Sequence, residues 1–204
     1  SQRSKIRKMK SEQLSWLIKR HGIEMTHISH GSHIGSILSV ADVVAVLYND
    51  VANITPETVK DENRDRIVLS KGHAGAAIYA ALAEKGFFPK EDLKTFRHKD
   101  SYLQGHPDMK HIPGVDMSTG SLGQGISAAV GMALAARIDK KDYRVYTLLG
   151  DGEIEEGQVW EAAMYAGHKK LDNLVAIVDN NGLQIDGKIE DVCSPYPIDK
   201  KFEA

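Results

Sequence analysis

Two kinds of apolar pattern alternate along the 204-residue chain. Long stretches with a period near 3.6 residues predict helices, and short, nearly continuous apolar runs predict buried strands. "SVADVVAVLYNDV" predicts a buried helix with Ser39 as its N-cap. The first ~30 residues also show a loose helical period, and the apolar positions that carry it are Leu14, Leu17, Ile18, Ile23 and Met25.

Three short apolar runs predict strands, and these runs are "RIVLS", "YRVYTLLG" and "LVAIVDNN". Helical patterns lie between them, in "GAAIYAALAEKG" (ending at Gly86), "KEDLKTF", "ISAAVGMALAARI" and "VWEAAMYAGHKK". Apolar strands separated by helices predict an α/β fold, with a doubly wound, mostly parallel sheet and helices on both faces. "SYLQGHPDMKHIPGVDMSTGSLGQG" predicts a long loop, and loops of this length are usually functional or disordered.

Composition narrows the classes of protein that fit this pattern. The chain is 42% hydrophobic and 26% charged, which predicts one globular domain over residues 1–204. A net charge of −2 argues against nucleic-acid binding, and apolar runs such as residues 125–136 are too short to predict a membrane span. The lone Cys193 excludes an internal disulfide and favours a cytoplasmic location. The pattern stops within a βα unit, so we expect further residues after Ala204.

Small oxygen-bearing side chains follow two of the predicted strands. Asp151 stands between Gly150 and Gly152, and Asn181 follows the next strand after an intervening helix. Ligands of parallel sheets bind outside the carboxyl ends of the strands, so these side chains should converge. With the Leu183 carbonyl they offer hard oxygen ligands, which suit Mg²⁺ or Ca²⁺ and not zinc. The glycines let backbone amides approach an anion such as a diphosphate.

Gly-Asp-Gly followed by Asn-Asn at this spacing resembles the thiamine diphosphate motif. "DRIVLSKGHAGAAIYAAL", "GHPD", "PGVDMSTGSLGQGISAAVGMALAAR" and "GDGEIEEGQVWEAAMYAGHKKLDNLVAIVDNNGLQIDG" are similar to transketolase. The resemblance runs from about Ser32 onward and implies the diphosphate-binding (PP) domain of that family. It further implies the N-terminal subunit of a split transketolase, whose partner is a C-terminal subunit with the pyrimidine-binding domain. A homodimeric or α2β2 contact is expected.

The same resemblance implies roles for individual residues. Asp151, Asn181 and the Leu183 carbonyl would hold the metal, and Gly150, Gly152 and Asn181 would meet the cofactor. Gly120 and Leu122 match the segment that touches the aminopyrimidine. Glu156 and Glu161 match carboxylates near the subunit interface, whereas Glu153 and Glu155 are interpreted as an acidic first turn favoured by the helix dipole. The residues that the resemblance assigns to cofactor and metal are therefore Gly120, Leu122, Gly150, Asp151, Gly152, Glu156, Asn181 and Leu183.

Three histidines beside glycines match active-site histidines of the family, namely His33, His73 and His106. Imidazole can bind sugar hydroxyls and move protons near neutral pH, which ketose transfer requires. The spacing of His27, His30 and His33 also invites a metal site, which we reject because their loop fits the sugar pocket. Two departures from the family pattern, Ile34 and Ser121, stand where proline is usual and remove no functional group.

The resemblance implies transfer of a two-carbon ketol unit from a ketose phosphate to an aldose phosphate. A deoxyxylulose-phosphate-synthase-like enzyme and a non-catalytic cofactor-binding subunit remain alternatives. Family members in pentose metabolism and relatives acting on unusual sugars share these motifs, so the sugars stay open. The activating glutamate and the phosphate-binding arginines of the family lie in its second domain. We therefore expect weak cofactor binding and little catalysis from this chain alone.

Overall fold

Three parallel strands form the central sheet, in the order β1–β2–β3. The computed structural model describes residues 9–204. The strands are β1 Arg66–Leu69, β2 Val145–Gly150 and β3 Leu174–Asp179. β2 is central: Val145 pairs with Arg66 on one side and with Leu174 on the other. The three strands expected from the apolar runs are therefore present, and all pair in parallel.

Helices of the described residues surround or follow this sheet. They are α1 Ser11–Ser29, α2 Ile34–Val46, α3 Gly75–Glu84, α4 Gly125–Ile138, α5 Gly157–His168, α6 Ile189–Val192 and α7 Ile198–Glu203. The expected short helix in "KEDLKTF" is a 3₁₀ helix, Lys90–Thr95. Gly86 follows α3 with φ +87°, the left-handed cap position expected from the sequence. Part of the N-terminal helical prediction falls on residues 1–8, outside the described residues.

Side chains of β2 point alternately to two apolar layers. Tyr146 and Leu148 pack into the cluster formed with α1, α2 and α3. Val145 and Leu149 pack into the cluster formed with α4 and α5. Both faces of the sheet are thus covered by helices, because each face of a fully apolar strand must be buried. The α/β class with helices on both faces of a parallel sheet is confirmed.

Two expectations about α1 and α2 need correction. Ser39 does not cap a helix: α2 begins at Ile34, after His33 in a left-handed conformation. Ser39 lies inside α2 and donates a hydrogen bond to Asp179 at the end of β3. On α1, Ile23 is 53% exposed. The neighbouring residue Gly22 is buried instead. It lies where α1 and α2 cross, so close to Ile37 that a Cβ on Gly22 would be 2.6 Å from Ile37 Cγ2.

The segment Ile34–Val51 is long and apolar enough, by length and composition, to cross a membrane. It comprises α2 and the π-helical turn Leu47–Val51. This differs from the expectation that the apolar runs are too short. In the fold, α2 packs against α1 and α3 and buries Ile37, Val40 and Val44 in the core. Core helices share this length and composition, so the segment is weak evidence for a membrane span.

The residues after β3 form elements that the sequence pattern does not predict. Leu183–Gln184 (β4) and Gly187–Lys188 (β5) form a small antiparallel pair. The short helices α6 and α7 follow, and Phe202 of α7 lies 4.7 Å from the Trp160 ring, centroid to centroid. The β4–β5 pair places Leu183 and Gln184 beside the carboxyl end of β2.

The first residue of α4, Gly125, packs closely on the residue that follows β1, Ser70. A Cβ on Gly125 would lie 2.5 Å from Ser70 Oγ and 2.6 Å from Ser70 Cα. Gly125→Ala is therefore expected to lower the free energy of unfolding by about 1–3 kcal/mol. The matched control is Gly131→Ala on the same helix, where a Cβ would meet nothing within 4 Å. That change should stabilise the chain by about 0.5–1 kcal/mol. Urea unfolding of both variants measures the difference, and equal midpoints would contradict the prediction.

Candidate active site

The carboxyl ends of β1, β2 and β3 open onto one cleft of about 700 Å³. Parallel strands end at the same edge of a sheet, and the N-terminus of α2 closes the opposite wall. The cleft is lined by Lys19, His33, Gly35, Ser36, Leu38, Ser39, Lys71, His73, Gly150, Asn181, Leu183, Gln184 and Ile185. Three residues expected at the cofactor or metal, Gly150, Asn181 and Leu183, are thus brought together with two of the expected histidines.

Asp151 directly follows Gly150 of the cleft lining and is only 1% exposed. One carboxylate oxygen accepts from the Gly152 N–H at 3.0 Å, and the other from the Gly182 N–H at 2.6 Å. The second bond brings the segment after β3 up to the end of β2. A buried carboxylate needs such partners, and the remaining lone pairs of its oxygens suit a hard cation.

Asn181 and Leu183 lie on that segment. The Asn181 amide oxygen accepts from the Leu183 N–H at 2.9 Å, and its amide nitrogen donates to Ser39 Oγ at 3.3 Å. Leu183 lies in β4, is exposed and lines the cleft. One carboxylate, one amide oxygen and one carbonyl therefore lie on adjacent segments. This donor set fits Mg²⁺ or Ca²⁺. In the described part of the chain, no three His, Cys, Asp or Glu side chains form a metal cluster.

Sequence reasoning missed a buried ion pair that crosses the cleft. Lys71 is 1% exposed, and its ammonium lies 2.5 Å from Asp179 Oδ2 and 3.1 Å from Ser36 Oγ. Ser39 donates to the same carboxylate oxygen. The pair has no net charge, and it ties the end of β1 to the end of β3 beneath α2. The only signal in the sequence was a lysine directly before Gly72 and His73 in "KGH".

Glu153 was also missed, because an acidic residue after Gly-Asp-Gly was interpreted as a first-turn charge. The side chain is 2% exposed and joins three segments. One oxygen accepts from Ser70 Oγ at 2.5 Å and from the Gly123 N–H at 2.9 Å. The other accepts from the Gly150 N–H at 3.0 Å. Burial raises the pKa of the Glu153 carboxyl, although these donors oppose the shift. Glu153 therefore links the segments after β1, before α4 and at the end of β2 through hydrogen bonds. The interpretation of Glu153 as a first-turn charge favoured by the helix dipole is wrong.

Glycines allow the loops around the cleft to touch backbone to backbone. A Cβ on Gly72 would lie 2.7 Å from the Gly120 nitrogen, and one on Gly120 would lie 3.1 Å from His106 Cδ2. Gly120 has φ +154° and lines a neighbouring hollow of about 440 Å³ together with His106. Farther along the loop, Gln158 donates to the Leu122 carbonyl at 3.0 Å. Gly120 therefore packs against Gly72 and His106 beside the neighbouring hollow, whereas neither Gly120 nor Leu122 lines the main cleft.

The three expected histidines lie close together. The ring centroids of His33 and His73 are 5.1 Å apart. Burial lowers the pKa of His73 to about 4, with further contributions from the charges of His33, Lys71 and His106. Burial also lowers the pKa of His33, assisted by His106 and Arg97. Both imidazoles are therefore neutral at neutral pH, so each can accept a hydrogen bond at one ring nitrogen and donate one at the other.

The His73 ring should stay neutral until the pH falls to about 4. A histidine with a lowered folded-state pKa stabilises the fold above its unfolded value of 6.5, and this contribution is lost as the pH falls toward 4. NMR titration of the imidazole protons measures the value directly. In His73→Gln, the free energy of unfolding should depend less on pH between those two pH values than it does in wild type. His168→Gln, at the exposed end of α5, is the control and should leave this pH dependence unchanged.

The two carboxylates expected near a subunit interface are both exposed. Glu156 precedes α5, and its Cβ lies 2.9 Å from where a Cβ on Gly123 would be. Glu161 lies on α5 beside the exposed side chains of Met164 (74%) and Tyr165. Neither glutamate lines the main cleft. His27 and His30 lie at the end of α1 and do not line it either.

Comparisons with known proteins identify the family of this chain. Residues 14–204 match the family described as transketolase, thiamine diphosphate binding domain. The chain is 50% identical over 172 residues to a 6-deoxy-6-sulfo-D-fructose transketolase subunit, SqwG, of a Clostridium species. It is 46% identical over 172 residues to an apulose-4-phosphate transketolase subunit of Phocaeicola vulgatus. The two alignments cover 84% of this chain and 62% and 61% of those relatives.

Solved structures show the same relationship. Transketolase from Campylobacter jejuni superposes with a TM-score of 0.89 at 34% identity, over 95% of this chain and 31% of that one. Transketolase from Leishmania mexicana gives 0.88 at 33% identity, over 96% and 31%. The chain thus spans about 60% of the curated subunits that it matches and about a third of these transketolases. The chain belongs to the transketolase family and consists largely of its thiamine diphosphate binding domain.

Proposed function

We propose that this chain is one subunit of a transketolase that moves a two-carbon ketol unit from a ketose to an aldose with thiamine diphosphate. The observation that carries the proposal is the single cleft at the ends of β1, β2 and β3. Asn181 lines this cleft together with His33 and His73, whose pKa values are lowered, and the Asp151 carboxylate lies directly after the cleft residue Gly150. A module that only bound the cofactor would have no need for those histidines.

The cofactor's diphosphate would lie at the carboxyl end of β2. Asp151, Asn181 and the Leu183 carbonyl would hold Mg²⁺, or Ca²⁺ in its place, and backbone amides at Gly150 and Gly152 would approach the diphosphate. Lys71, paired with Asp179, would hold the ends of β1 and β3 together on the same wall. Gly120 and Leu122, on the loop before α4, would contact the aminopyrimidine. When bound, the cofactor supplies the carbanion chemistry that ketol transfer requires.

The histidines would act on the sugar. His33 and His73 lie 5.1 Å apart and are neutral at neutral pH, so they can both donate to and accept from sugar hydroxyls. His106, beside Gly120, would extend this group toward the acceptor. Holding the hydroxyls in one orientation lowers the entropic part of the barrier to reaction. A neutral imidazole can also take up or release a proton at the sugar oxygens.

A partner subunit would complete the site. Two relatives are named as subunits of transketolases, which supports a split enzyme in which a C-terminal subunit brings the pyrimidine-binding domain. The exposed Glu156 and Glu161, with Met164 and Tyr165 on α5, offer a surface for contact between chains, as a homodimer or an α2β2 assembly. We propose that residues 1–204 form one domain in this assembly. A cytoplasmic enzyme fits the free, exposed Cys193 thiol.

The sugars would carry an anionic group. One relative is named for a sulfonated ketose and another for a phosphorylated one, and both names describe a sugar with a negative charge. We therefore propose a phosphorylated or sulfonated ketose as donor and an aldose phosphate as acceptor.

The test is a transketolase assay of the chain alone and mixed with its C-terminal partner, in thiamine diphosphate and Mg²⁺. Xylulose 5-phosphate, apulose 4-phosphate and 6-deoxy-6-sulfofructose serve as donors, each with an aldose phosphate acceptor. Turnover only in the mixture is the expected result. Cofactor binding measured by calorimetry without any turnover would instead support a non-catalytic binding subunit. No binding in the mixture would overturn the proposed cofactor site.

A further inference from the structure

A series of hydrogen bonds connects the end of β1 to the proposed metal ligand Asn181. The Lys71 ammonium lies 2.5 Å from Oδ2 of Asp179, the last residue of β3. The Ser39 hydroxyl, on α2, donates to the same carboxylate oxygen. The Asn181 amide nitrogen donates in turn to Ser39 Oγ at 3.3 Å. The series therefore joins the end of β1, the helix α2 and the segment after β3.

Chemistry fixes the direction of each bond in this series. The Lys71 ammonium can only donate, and the Asp179 carboxylate that pairs with it can only accept. Ser39 therefore uses its single hydrogen on Asp179, and only lone pairs of its oxygen are left for Asn181. The two ends of an amide have nearly the same shape, so hydrogen bonds determine which end faces which way. In this series the nitrogen of Asn181 must face Ser39.

The backbone holds the other end of the Asn181 amide. Its oxygen accepts from the Leu183 N–H at 2.9 Å, and the N–H of the intervening Gly182 donates to Asp151 Oδ2 at 2.6 Å. An amide oxygen has two lone pairs, so the bond from Leu183 leaves one for a cation. A rotated amide would present its NH2 group instead, which cannot bind a hard cation. The orientation of Asn181 therefore decides whether it can be a ligand.

We propose that Ser39 and Asp179 are positioning residues that hold the Asn181 side chain in the orientation that offers its amide oxygen to the metal. The proposal rests on the proposed function and extends it to residues that do not themselves touch the metal. Hydrogen-bond partners behind a metal ligand commonly fix its orientation, and losing one typically lowers metal affinity about 10- to 100-fold. Lys71 supports the two residues through its ion pair with Asp179.

The experiment removes the Ser39 hydroxyl and then restores it. Ser39→Ala lacks the group that accepts from the Asn181 nitrogen, whereas Ser39→Thr retains a hydroxyl on the same carbon. Calorimetric titration of thiamine diphosphate, at fixed Mg²⁺, into the full chain with its C-terminal partner measures the affinity. Ser39→Ala should weaken the affinity about 10-fold, and Ser39→Thr should return it to within about threefold of wild type.

Ser15→Ala is the matched control. Ser15 of α1 donates to Asp42 of α2, which pairs with the Lys19 ammonium at 2.9 Å. This group repeats the serine, aspartate and lysine of the series but contains no proposed metal ligand. Both alanine variants should unfold at similar urea concentrations, whereas Ser15→Ala should keep its cofactor affinity within about threefold of wild type. A purely structural role of Ser39 would make the two variants alike in affinity.

Asp179→Asn tests the direction of the series. The new amide nitrogen can donate to Ser39, and the serine hydrogen is then free to bond the Asn181 oxygen. Lys71→Met is made in the same chain, so that no buried charge loses its partner. The double variant should bind the cofactor at least about 10-fold more weakly than wild type. An affinity within about threefold of wild type would contradict the role of Asp179.

A second measurement needs no cofactor. NMR of the isotopically labelled chain follows the side-chain amide hydrogens of Asn181, which are assigned through their loss in Asn181→Asp. One of them should exchange with solvent about fivefold more slowly in wild type and Ser15→Ala than in Ser39→Ala, because its bond to Ser39 protects it. Equal exchange in wild type and Ser39→Ala would refute the proposal, as would equal cofactor affinity in these two proteins. A wild-type protein that binds no cofactor would overturn the proposed function, whereas the exchange would still decide how Asn181 is oriented.

Discussion

Asp151→Asn is expected to weaken binding of thiamine diphosphate in Mg²⁺ by at least about 100-fold and to abolish turnover with the partner subunit. The amide has nearly the same shape but no negative charge. It also cannot accept from the Gly152 and Gly182 N–H groups with two oxygens, as the carboxylate does. Both the metal ligand and the contact between the ends of β2 and β3 are weakened. Calorimetry with and without Mg²⁺ measures the loss.

Glu155→Gln is the matched control, because Glu155 is an exposed carboxylate four residues along. It removes the same charge close to the proposed metal without touching the cleft. We expect its cofactor affinity to lie within about threefold of wild type. Asp151→Asn should also retain its helical circular dichroism, so that lost binding is not lost folding. Wild-type affinity for the cofactor in Asp151→Asn would contradict the proposed metal site.

Glu153→Ala is expected to lower the free energy of unfolding by about 3 kcal/mol or more. The change leaves the Gly123 N–H, the Gly150 N–H and the Ser70 hydroxyl without their acceptor in a buried place. It also leaves a cavity where the side chain was. Urea unfolding followed by circular dichroism measures the change. Glu155→Ala should cost less than about 0.5 kcal/mol, as expected for an exposed side chain.

Glu153→Gln separates the charge from the shape of this side chain. Burial raises the folded-state pKa of Glu153 above 4.5. A raised pKa means that its stabilising contribution is fully present below 4.5 and is lost as the pH rises through the folded value. Since glutamine does not titrate, the stability difference between wild type and Glu153→Gln should narrow as the pH rises through that range. A constant difference would show that the carboxyl does not titrate there.

The parallel sheet, and the edge of the sheet at which the cleft lies, could be predicted from the sequence alone. Buried parallel strands are apolar along their whole length, so β2 and β3 stand out as short runs, and the residues directly after them must lie at one edge. Asp151 and Asn181 could be placed together for that reason. The glycine-flanked histidines could be assigned to the same site from family resemblance. Their mutual distance and lowered pKa values depend on burial, which local pattern does not reveal.

What the sequence did not reveal depends on contacts between distant segments. Ser39 has a side chain suited to capping a helix, but the bond it makes is to Asp179, 140 residues away. Glu153 has the composition of a helix N-terminus, but its partners lie on three separate segments. In the sequence Lys71 looks like an ordinary polar loop residue, whereas in the fold β2 and α2 bury it. In each case local propensity was a weak guide, because tertiary contacts determined the role of the side chain.

β2 and β3 differ in burial: every residue of β2 is buried, whereas β3 is partly exposed along its length. The proposed metal ligands are divided between these two strands, with Asp151 after the former and Asn181 after the latter. A partly exposed edge strand opens at a lower free energy than a buried central strand does. Amide hydrogens of residues 174–183 should therefore exchange with deuterium faster than those of β2 in the cofactor-free chain. Cofactor and metal, by joining the two strand ends, would slow that exchange selectively, so ligand binding and the order of this sheet edge are thermodynamically linked.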